Sequence, residues 1–369
     1  MPMSTLQNIA EAFELGGNVL GVQPYGHGLI NDTYLVTTDA QSDRKVILQR
    51  INARVFPEPA WIMANLRALL DHVHERQAGI RHPGHDLRLP GIYTTYEHQD
   101  FLVGPDGGFW RAIGFIDNAC TIEKIASPGQ AEEVGFALGR FHYLVHDLET
   151  ERLHDTLPGF HVLPQYLRRF AKVAAPIRGA LQGPELDFCF SFIDARTQGA
   201  DVLEAAKHQG RLRLRPIHGD PKLDNILFDE QSGHALSLID LDTVKPGLIH
   251  YDVGDCLRSC CNAGGECPGD TDAARFDLDI CHAILKRYLD ETRGFLTPRD
   301  YTYLYDAIRL IPFELGVRFL TDHLQGNHYF KIDRPDQNLH RAMTQFQLAA
   351  SIEHSEARIK TLIDELTAG

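Results

Sequence analysis

The residues that most restrict how this chain can fold lie in two neighbouring segments of its 369 residues. The first reads IHGDPKLDNILFD over 217–229, and the second reads SLID over 237–240. Each contains a short apolar run, and together they carry a carboxylate at Asp220, an amide at Asn225 and a second carboxylate at Asp240. If the apolar runs form adjacent strands, Asn225 and Asp240 come to one side of a cleft.

These polar groups are the ones that metal-assisted phosphoryl transfer requires. A carboxylate, here Asp220, orients the attacking hydroxyl and accepts its proton. A carboxylate and an amide oxygen, here those of Asp240 and Asn225, are hard ligands that hold Mg²⁺ on the phosphates. Lys222 can stabilise the charge that develops on the transferred group. Asp and Asn are also common turn formers, but the complete spacing favours a catalytic loop.

The periodicity of apolar residues changes along the chain. Two β-rich runs at 34–38 and 45–49 are separated by turn-forming residues and predict a hairpin. Later segments have apolar residues at helical spacing, including one long terminal helix over 339–366. We therefore predict an α+β fold with a strand-rich amino-terminal lobe, residues 1–116, which binds nucleotide. A larger helical carboxy-terminal lobe, residues 117–369, would carry catalysis and bind the substrate.

The pattern His-Gly-Asp-x-x-x-x-Asn at 218–225, followed by Ile239-Asp240, resembles the catalytic loop and metal-binding segment of the aminoglycoside phosphotransferase/choline kinase superfamily. Further segments resemble the N-acetylhexosamine 1-kinases within that superfamily and occur in the same order: 24–38, 46–52, 239–247, 251–258 and 316–330. The resemblance implies a bilobal protein-kinase-like fold, with ATP as phosphate donor and Mg²⁺ as cofactor. It also implies transfer to the anomeric hydroxyl of an N-acetylhexosamine, GlcNAc or GalNAc.

A glycine-containing loop between two strands is the first candidate for nucleotide binding. Gly26, His27 and Gly28 would let backbone N–H groups approach phosphates, because glycine tolerates the required dihedral angles. A hairpin turn with two glycines is the structural alternative, but the position upstream of the catalytic loop favours the nucleotide. By position in the family, the hinge between the lobes would offer backbone groups to adenine from Phe115, Ile116 and Asp117.

One departure from kinase-like chains concerns the cation that normally contacts the phosphates. Such folds place a lysine on the third strand and pair it with a glutamate of the next helix. The matching position here is Gln49, and residues 61–74 of the following helix contain no glutamate. Phosphate contact is then expected from Gln49, the glycine loop, Mg²⁺ and Lys222, and Lys45 or Arg50 could substitute for the lysine. The missing pair also leaves open a catalytically silent, kinase-like binding protein.

Four residues are candidates for binding the acceptor. Arg318 lies in an apolar helical run and could fork onto hydroxyl or acetamide oxygens, or pair with Glu314 four residues earlier. Tyr329 could stack on a sugar ring or fill the core. Asn31 could face the ligand or close an Asx turn, and Asp242 could contact metal or sugar or cap a turn. An amine acceptor, such as an aminoglycoside or amino alcohol, would favour an acidic pocket instead.

The composition limits the partners and the compartment. The 36 Lys and Arg residues against 50 Asp and Glu give a net charge of −14, which argues against nucleic acid or an anionic membrane as a general partner. Five of the seven cysteines lie between Cys256 and Cys281, but no C-x-x-C pair occurs, so free thiols are favoured over a metal cluster. The absence of a signal sequence and of a long apolar run predicts a cytoplasmic protein.

Overall fold

The structure is a computed structural model that describes residues 3–26, 30–42, 44–77, 86–179, 183–265 and 274–368. The first part of the chain folds into an antiparallel sheet. Its strands are β1 (Val19–Pro24), β2 (Asp32–Thr38), β3 (Lys45–Ile51), β4 (Ile92–Tyr93), β5 (Leu102–Val103) and β6 (Phe109–Gly114), in the order β1-β2-β3-β6-β4 with β5 also paired to β6. Two helices lie in this part of the chain: α1 (Met3–Ala10) packs on β1, whereas α2 (Pro59–Gln77) packs mainly on the second lobe, against its helix Pro128–Val145.

Strand alternation decides which side chains face the second lobe. Val46 and Leu48 of β3 are buried against α1 together with Trp110 of β6. The alternate residues of each strand point to the other face. Gln49 of β3 therefore stands opposite Arg111 of β6 on the side turned away from α1. The predicted hairpin is confirmed, because β2 and β3 pair antiparallel along their length.

The rest of the chain is mainly helical and contains two small sheets. The strands are β7 (Ala119–Cys120), β8 (Arg215–Ile217), β9 (Ile226–Asp229), β10 (Ala235–Leu238) and β11 (Lys245–Gly247), arranged as β10-β9-β7 and β11-β8. The helices are α3 (Pro128–Val145), α4 (Leu163–Ala174), α5 (Pro184–Arg196), α6 (Val202–His208), α7 (Ile249–Cys260), α8 (Leu278–Thr292), α9 (Pro298–Thr302), α10 (Leu304–Leu324), α11 (Gln337–His354) and α12 (Glu356–Thr367). The core of this lobe forms where α3 packs on α8 and where α10 packs on α7 and α11. Over the part of the chain that the structure describes, no helix is both long and apolar enough to cross a membrane.

The two lobes are joined by a short link and by a second backbone contact. Residues 115–118 connect β6 to β7, which pairs with β9 of the second lobe. The Arg88 N–H also donates to the carbonyl oxygen of Leu236 on β10 at 2.8 Å. The boundary that the sequence predicts after residue 116 falls within this link. The predicted α+β architecture, a strand-rich lobe followed by a larger helical lobe, is confirmed.

The prediction of a single helix over 339–366 is wrong. Two helices, α11 and α12, occupy the segment, and the chain turns at Ser355. The Ser355 N–H donates to the carbonyl oxygen of Ile352 at 3.0 Å, a three-residue spacing that tightens the last turn of α11. Ile359 and Ile363 of α12 lie in the core, where α12 packs on α8. Apolar periodicity does not reveal such a turn, because both helices keep helical spacing.

Most of the clustered cysteines are buried. Cys256, Cys260, Cys261 and Cys281 are buried free thiols, and Cys267 lies outside the described residues. A hydrogen bond with Cys260, together with burial, raises the pKa of Cys256 well above its ordinary value, so this thiol stays neutral at pH 7. No group of three or more His, Cys, Asp or Glu side chains is arranged to hold a metal ion within the described ranges.

Candidate active site

A buried carboxylate holds the start of the predicted catalytic loop. Asp252, on α7, accepts hydrogen bonds from the backbone N–H groups of His218 at 2.7 Å and of Gly219 at 2.8 Å. Its Oδ2 also lies 2.9 Å from Nε2 of His142 on α3. Asp252 and His218 are fully buried, so these contacts fix the loop between two helices of the core.

Gly219 occupies a position in this loop that only glycine fits. Its φ is +89°, and a Cβ there would lie 2.6 Å from the carbonyl oxygen of Thr243. Its own carbonyl oxygen lies 2.8 Å from Nε2 of His161, whose Nδ1 is 3.1 Å from Oε1 of Glu314. Burial alone would lower the pKa of His161, but the Glu314 carboxylate raises it above its ordinary value. His161 therefore links the loop to α10, a role that no motif in the sequence indicates.

The polar groups at the end of the loop lie together, as predicted. The Asn225 side-chain amide donates to the backbone oxygen of Asp220 at 2.7 Å and to its Oδ2 at 3.2 Å. Lys222 Nζ lies 3.3 Å from the same Oδ2, and the side chains of Lys222 and Asp220 are each 29% exposed. Ligands can therefore reach both side chains from the cleft. With its amide nitrogen on Asp220, Asn225 has an oxygen that accepts no hydrogen bond from the described residues.

Strand pairing brings Asp240 beside Asn225. In the antiparallel β9–β10 pair, Leu238 stands opposite Ile226, and the Ile239 N–H donates to the Asn225 carbonyl oxygen at 2.9 Å. Asp240 follows with φ of 63° and ψ of 54°, a left-handed conformation that is unfavourable for a residue with a Cβ and that recurs at ligand sites. The sequence-based placement of Asn225 and Asp240 on adjacent strand ends therefore agrees with the structure.

The carboxylates of Asp220 and Asp242 lie close enough to Asp240 to repel its negative charge. Desolvation by the surrounding protein, followed by repulsion from Asp242 and Asp220, raises the pKa of Asp240 to about 7. Asp240 nevertheless keeps an exposed surface. A divalent cation would relieve that repulsion, and the oxygens of Asp240 and Asn225 are the hard donors that Mg²⁺ prefers. The donor set fits the predicted metal, and its role as ligand stays a prediction.

The predicted glycine loop follows β1. Gly26 has φ of +70° and open space around the position of a Cβ, so its left-handed backbone, not crowding, favours glycine. His27 and Gly28 lie outside the described residues. The part of the loop that the structure describes is therefore consistent with a tight turn, and its contact with phosphates stays a prediction.

The predicted hinge lies close to the start of that loop. The ring centroids of Tyr25 and Phe115 are 5.8 Å apart, edge to face. Lys45 Nζ lies 5.0 Å from the Phe115 ring centroid and 3.5 Å from Oδ1 of Asp117. Ile116 is half-buried between these two residues of the link. The hinge and the beginning of the glycine loop are thus in contact, and the adenine contacts of the hinge stay a prediction.

Gln49, at the position where a lysine is usual, belongs to a buried polar network. Its side-chain oxygen accepts from Nε of Arg111 at 3.0 Å and from Nη2 at 2.8 Å, and its nitrogen donates to Oγ1 of Thr33 at 3.1 Å. Arg111 Nη2 also donates to Oδ1 of Asp242. The second oxygen of Asp242 accepts from Asn31 at 2.7 Å. Since Asp242 lies in the turn after β10, the network spans both lobes.

This network bears on the predictions for Asn31 and Asp242. Both side chains are buried, and the oxygen of Asn31 also accepts the Asn52 N–H at 3.0 Å. Asp242 is 2% exposed and each of its oxygens accepts one of these hydrogen bonds, so little of its carboxylate is open to a sugar or another ligand. Sequence reasoning missed Arg111, which lies outside every motif. Its position opposite Gln49 in the strand register is the signal that could have revealed it.

Arg318, on α10, lies within an aromatic enclosure. Its guanidinium carbon is 4.9 Å from the ring centroid of Phe160, 5.3 Å from that of Tyr166 and 5.6 Å from that of Phe330. Such contacts stabilise the charge without using its N–H groups. Arg318 forms no hydrogen bond or ion pair with any residue that the structure describes, whereas Glu314 contacts His161. The alternative of an Arg318–Glu314 pair is therefore not supported.

Glu314 and Tyr329 both lie close enough to Arg318 to act on its charge. Glu314 is only 2% exposed, and its Oε2 has no hydrogen-bond partner among the described residues. Tyr329 is 41% exposed and meets Phe330 edge to face, with ring centroids 4.8 Å apart. Burial would lower the pKa of Arg318, but the neighbouring tyrosines, Glu314 and Asp220 raise it. Arg318 is therefore close enough to the catalytic loop to interact electrostatically with Asp220.

Residues 21–295 match the model of the phosphotransferase enzyme family, so the chain belongs to that family of small-molecule phosphotransferases. It is similar to the aminoglycoside phosphotransferase of Alicyclobacillus acidocaldarius, with 15% identity and a TM-score of 0.61 over 100% of this chain and 97% of that one. It is similar to a microcompartment-associated aminopropanol kinase, with 14% identity and a TM-score of 0.62 over 97% and 99% of the two chains. A spectinomycin phosphotransferase in complex with ADP and spectinomycin has 13% identity and a TM-score of 0.57 over 96% and 99%. The predicted protein-kinase-like fold is confirmed.

Proposed function

We propose that this protein is an ATP-dependent sugar 1-kinase that transfers the γ-phosphate of ATP to the anomeric hydroxyl of an N-acetylhexosamine, GlcNAc or GalNAc. The product would be the sugar 1-phosphate. The observation that carries the proposal is the convergence of Asp220, Asn225 and Asp240 at one end of the cleft. A carboxylate beside two hard oxygen donors is what phosphoryl transfer from a metal-bound nucleotide requires. The ADP bound to the similar spectinomycin phosphotransferase supports a nucleotide as donor.

Asp220 is the proton acceptor in this reaction. Asn225 and Lys222 lie 3.2 Å and 3.3 Å from its Oδ2, so the carboxylate is oriented while it stays accessible from the cleft. It aligns the C1 hydroxyl of the acceptor and takes its proton as the bond to the γ-phosphorus forms. Lys222 stabilises the charge on the transferred group. Mg²⁺, when held by Asn225 and Asp240, would neutralise negative charge on the phosphates.

We assign recognition of the phosphate-accepting sugar to Arg318. Its N–H groups have no acceptor within the residues that the structure describes, and aromatic rings enclose its guanidinium. A planar fork of donors suits the hydroxyl and acetamide oxygens of a neutral sugar and repels a protonated amine. Tyr329, exposed nearby, can stack on the sugar ring. Asn31 and Asp242 would contribute with the hydrogen-bonding capacity that their mutual contact leaves.

An amine-bearing acceptor, an aminoglycoside or an amino alcohol, is the second candidate. The observation that favours it is the buried Glu314 oxygen that has no hydrogen-bond partner among the described residues. A protonated amine would satisfy such a carboxylate. The aminopropanol kinase among the similar structures acts on an acceptor of this type, so the choice between a neutral sugar and an amine depends on whether Arg318 or Glu314 meets the ligand.

An acceptor panel tests the proposal. We expect phosphorylation of GlcNAc and GalNAc to be faster than that of glucose, ethanolamine, aminopropanol or spectinomycin, and to stop when Mg²⁺ is chelated. Formation of ADP gives the rates, and ³¹P NMR of the product identifies a phosphate on the anomeric carbon. A faster reaction with an amine-bearing acceptor would establish the second candidate instead. Binding of nucleotide without turnover of any acceptor would indicate a catalytically silent protein.

Arg318→Met should raise the KM for the sugar by about ten- to a hundredfold, because hydrogen bonds from a charged group contribute roughly 1.5–3 kcal/mol. The KM for ATP should stay unchanged, since Arg318 is assigned to the acceptor alone. Arg309→Met on the same helix is the matched control, because Arg309 pairs with Asp306 of its own helix at 3.4 Å. Equal effects of both variants on the sugar KM would remove Arg318 from the acceptor site.

A further inference from the structure

The amino-terminal lobe needs a positive charge to hold nucleotide phosphates, and its third strand does not place one at the usual position. Gln49 is neutral and stands where the lysine would be. Lys45, four residues earlier on the strand, lies beside Asp117 of the hinge at 3.5 Å, near the expected adenine end. Arg50 pairs with Asp106 at 2.6 Å on the other face of the strand. Neither of these two cations is at the phosphate end of the cleft.

Arg111 supplies a positive charge there from the neighbouring strand. In the β3–β6 pair it stands directly opposite Gln49, whose oxygen accepts two of its N–H groups. Its Nη2 also donates to Asp242, two residues after Asp240. Because Asp240 and Asp242 belong to one short turn, Arg111 is tied to the part of the cleft where the metal-bound phosphates are expected.

The bonding of Arg111 leaves part of its guanidinium for a ligand. Gln49 and Asp242 take up Nε and Nη2, while Nη1 donates to no residue within the described ranges and is not fully enclosed. The residue as a whole is 1% exposed. An anion that reached Nη1 would therefore meet a largely desolvated cation, and hydrogen bonds to such a charge are stronger than those to an exposed one.

We propose that Arg111 is the phosphate-binding cation of the amino-terminal lobe, contacting the terminal phosphates of ATP from β6 while Gln49 and Asp242 hold its guanidinium. This proposal rests on the proposed kinase function. In it, Gln49 is an orienting neighbour and Asp242 is the counter-ion of Arg111. The arrangement explains how the chain can lack both members of the usual lysine–glutamate pair.

Nucleotides that differ only in their phosphates test the proposal. Arg111→Gln should weaken the binding of Mg·ATP by about ten- to a hundredfold, the scale of charge-assisted hydrogen bonds, whereas adenosine should bind as it does to the wild type. Isothermal titration calorimetry measures both ligands. Arg50→Gln is the matched control, because it removes a cation from the same sheet that is paired with Asp106, and it should leave both affinities unchanged.

Two further variants keep the test valid if Arg111→Gln fails to fold, since that change leaves Asp242 buried without its cation. The double variant Arg111→Gln/Asp242→Asn removes both charges and should show the same selective loss of ATP binding. Adding Gln49→Lys to the double variant should restore ATP binding, because it returns a cation to the opposite position of the strand pair.

The outcomes separate this proposal from the proposed function. If the binding of ATP and of adenosine weakens equally, or neither weakens, Arg111 only connects the two lobes. That result would overturn its phosphate role. Selective loss of ATP binding in Arg111→Gln would support the phosphate role. If the wild type then phosphorylates no acceptor, the kinase function is contradicted while the phosphate role stands. If Arg111→Gln phosphorylates GlcNAc and keeps the wild-type affinity for ATP, the kinase function is supported and the phosphate role of Arg111 is contradicted.

Discussion

Asp220→Asn is expected to lower kcat by about 10²–10⁴-fold at saturating ATP and acceptor, because general-base catalysis contributes a factor of that size. Asparagine keeps the shape of aspartate but cannot accept a proton at neutral pH. Folding and ATP affinity should stay close to those of the wild type, since the side chain is partly exposed and its neighbours Asn225 and Lys222 remain at the cleft. Steady-state kinetics and a calorimetric ATP titration measure the two properties separately.

The same loop offers a matched control for this prediction. Asp224 is exposed four residues after Asp220, and Asp224→Asn makes the same chemical change without touching the proposed proton path. Its kcat should equal that of the wild type. If Asp220→Asn loses less than about tenfold, below the range expected of a general base, Asp220 is not the base and another group must take the proton.

The catalytic loop could be predicted because its contacts are local in sequence. Asn225 contacts Asp220 across five positions, and Asp240 reaches the same place through a single hairpin, β9 to β10. Two short apolar runs are enough to predict two such strands, and their pairing then places Asn225 and Asp240 at neighbouring strand ends. The two-lobed α+β fold was predictable for a related reason, since strand-like and helical spacing occupy separate halves of the chain.

The residues that connect the lobes could not be predicted because their partners lie far apart in the chain. Arg111 contacts Asp242 across 131 positions, and Asn31 reaches Asp242 across 211. Within the second lobe, His161 contacts Glu314 across 153 positions, another partner that the sequence does not indicate. Periodicity tells which face of an element is buried, but not which other element covers it. These contacts depend on the packing of whole lobes, and the same holds for the turn at Ser355.

The missing strand-3 lysine therefore has a different meaning in the structure than in the sequence. In the sequence Gln49 indicates the loss of the usual cation at this position, although a phosphate contact from Gln49 itself is still expected. In the structure it is the acceptor for two N–H groups of Arg111 on the paired strand. A lysine at position 49 would place two cations directly opposite each other, which is destabilising in an antiparallel pair. A neutral acceptor at position 49 therefore fits a cation at position 111. A lysine at position 49 would instead require a residue other than arginine at position 111.

Asp252→Ala is expected to lower the free energy of unfolding by about 3–5 kcal/mol. Its carboxylate accepts hydrogen bonds from the His218 and Gly219 N–H groups and contacts the ring of His142, and alanine leaves these buried groups without that partner. Each buried donor left unsatisfied costs about 1–3 kcal/mol. Asp252→Asn retains one acceptor oxygen and should lose less. Urea unfolding followed by circular dichroism measures both variants.

Asp290→Ala provides the control, because Asp290 is an exposed carboxylate on α8 and its loss should change the free energy of unfolding by less than about 0.5 kcal/mol. Asp252 contacts the loop and not the expected ligands, so folded Asp252→Asn should lose kcat through displacement of Asp220 while its affinity for adenosine stays that of the wild type. Equal stability of Asp252→Ala and Asp290→Ala would mean that the contact of His161 with the Gly219 carbonyl holds the loop without Asp252.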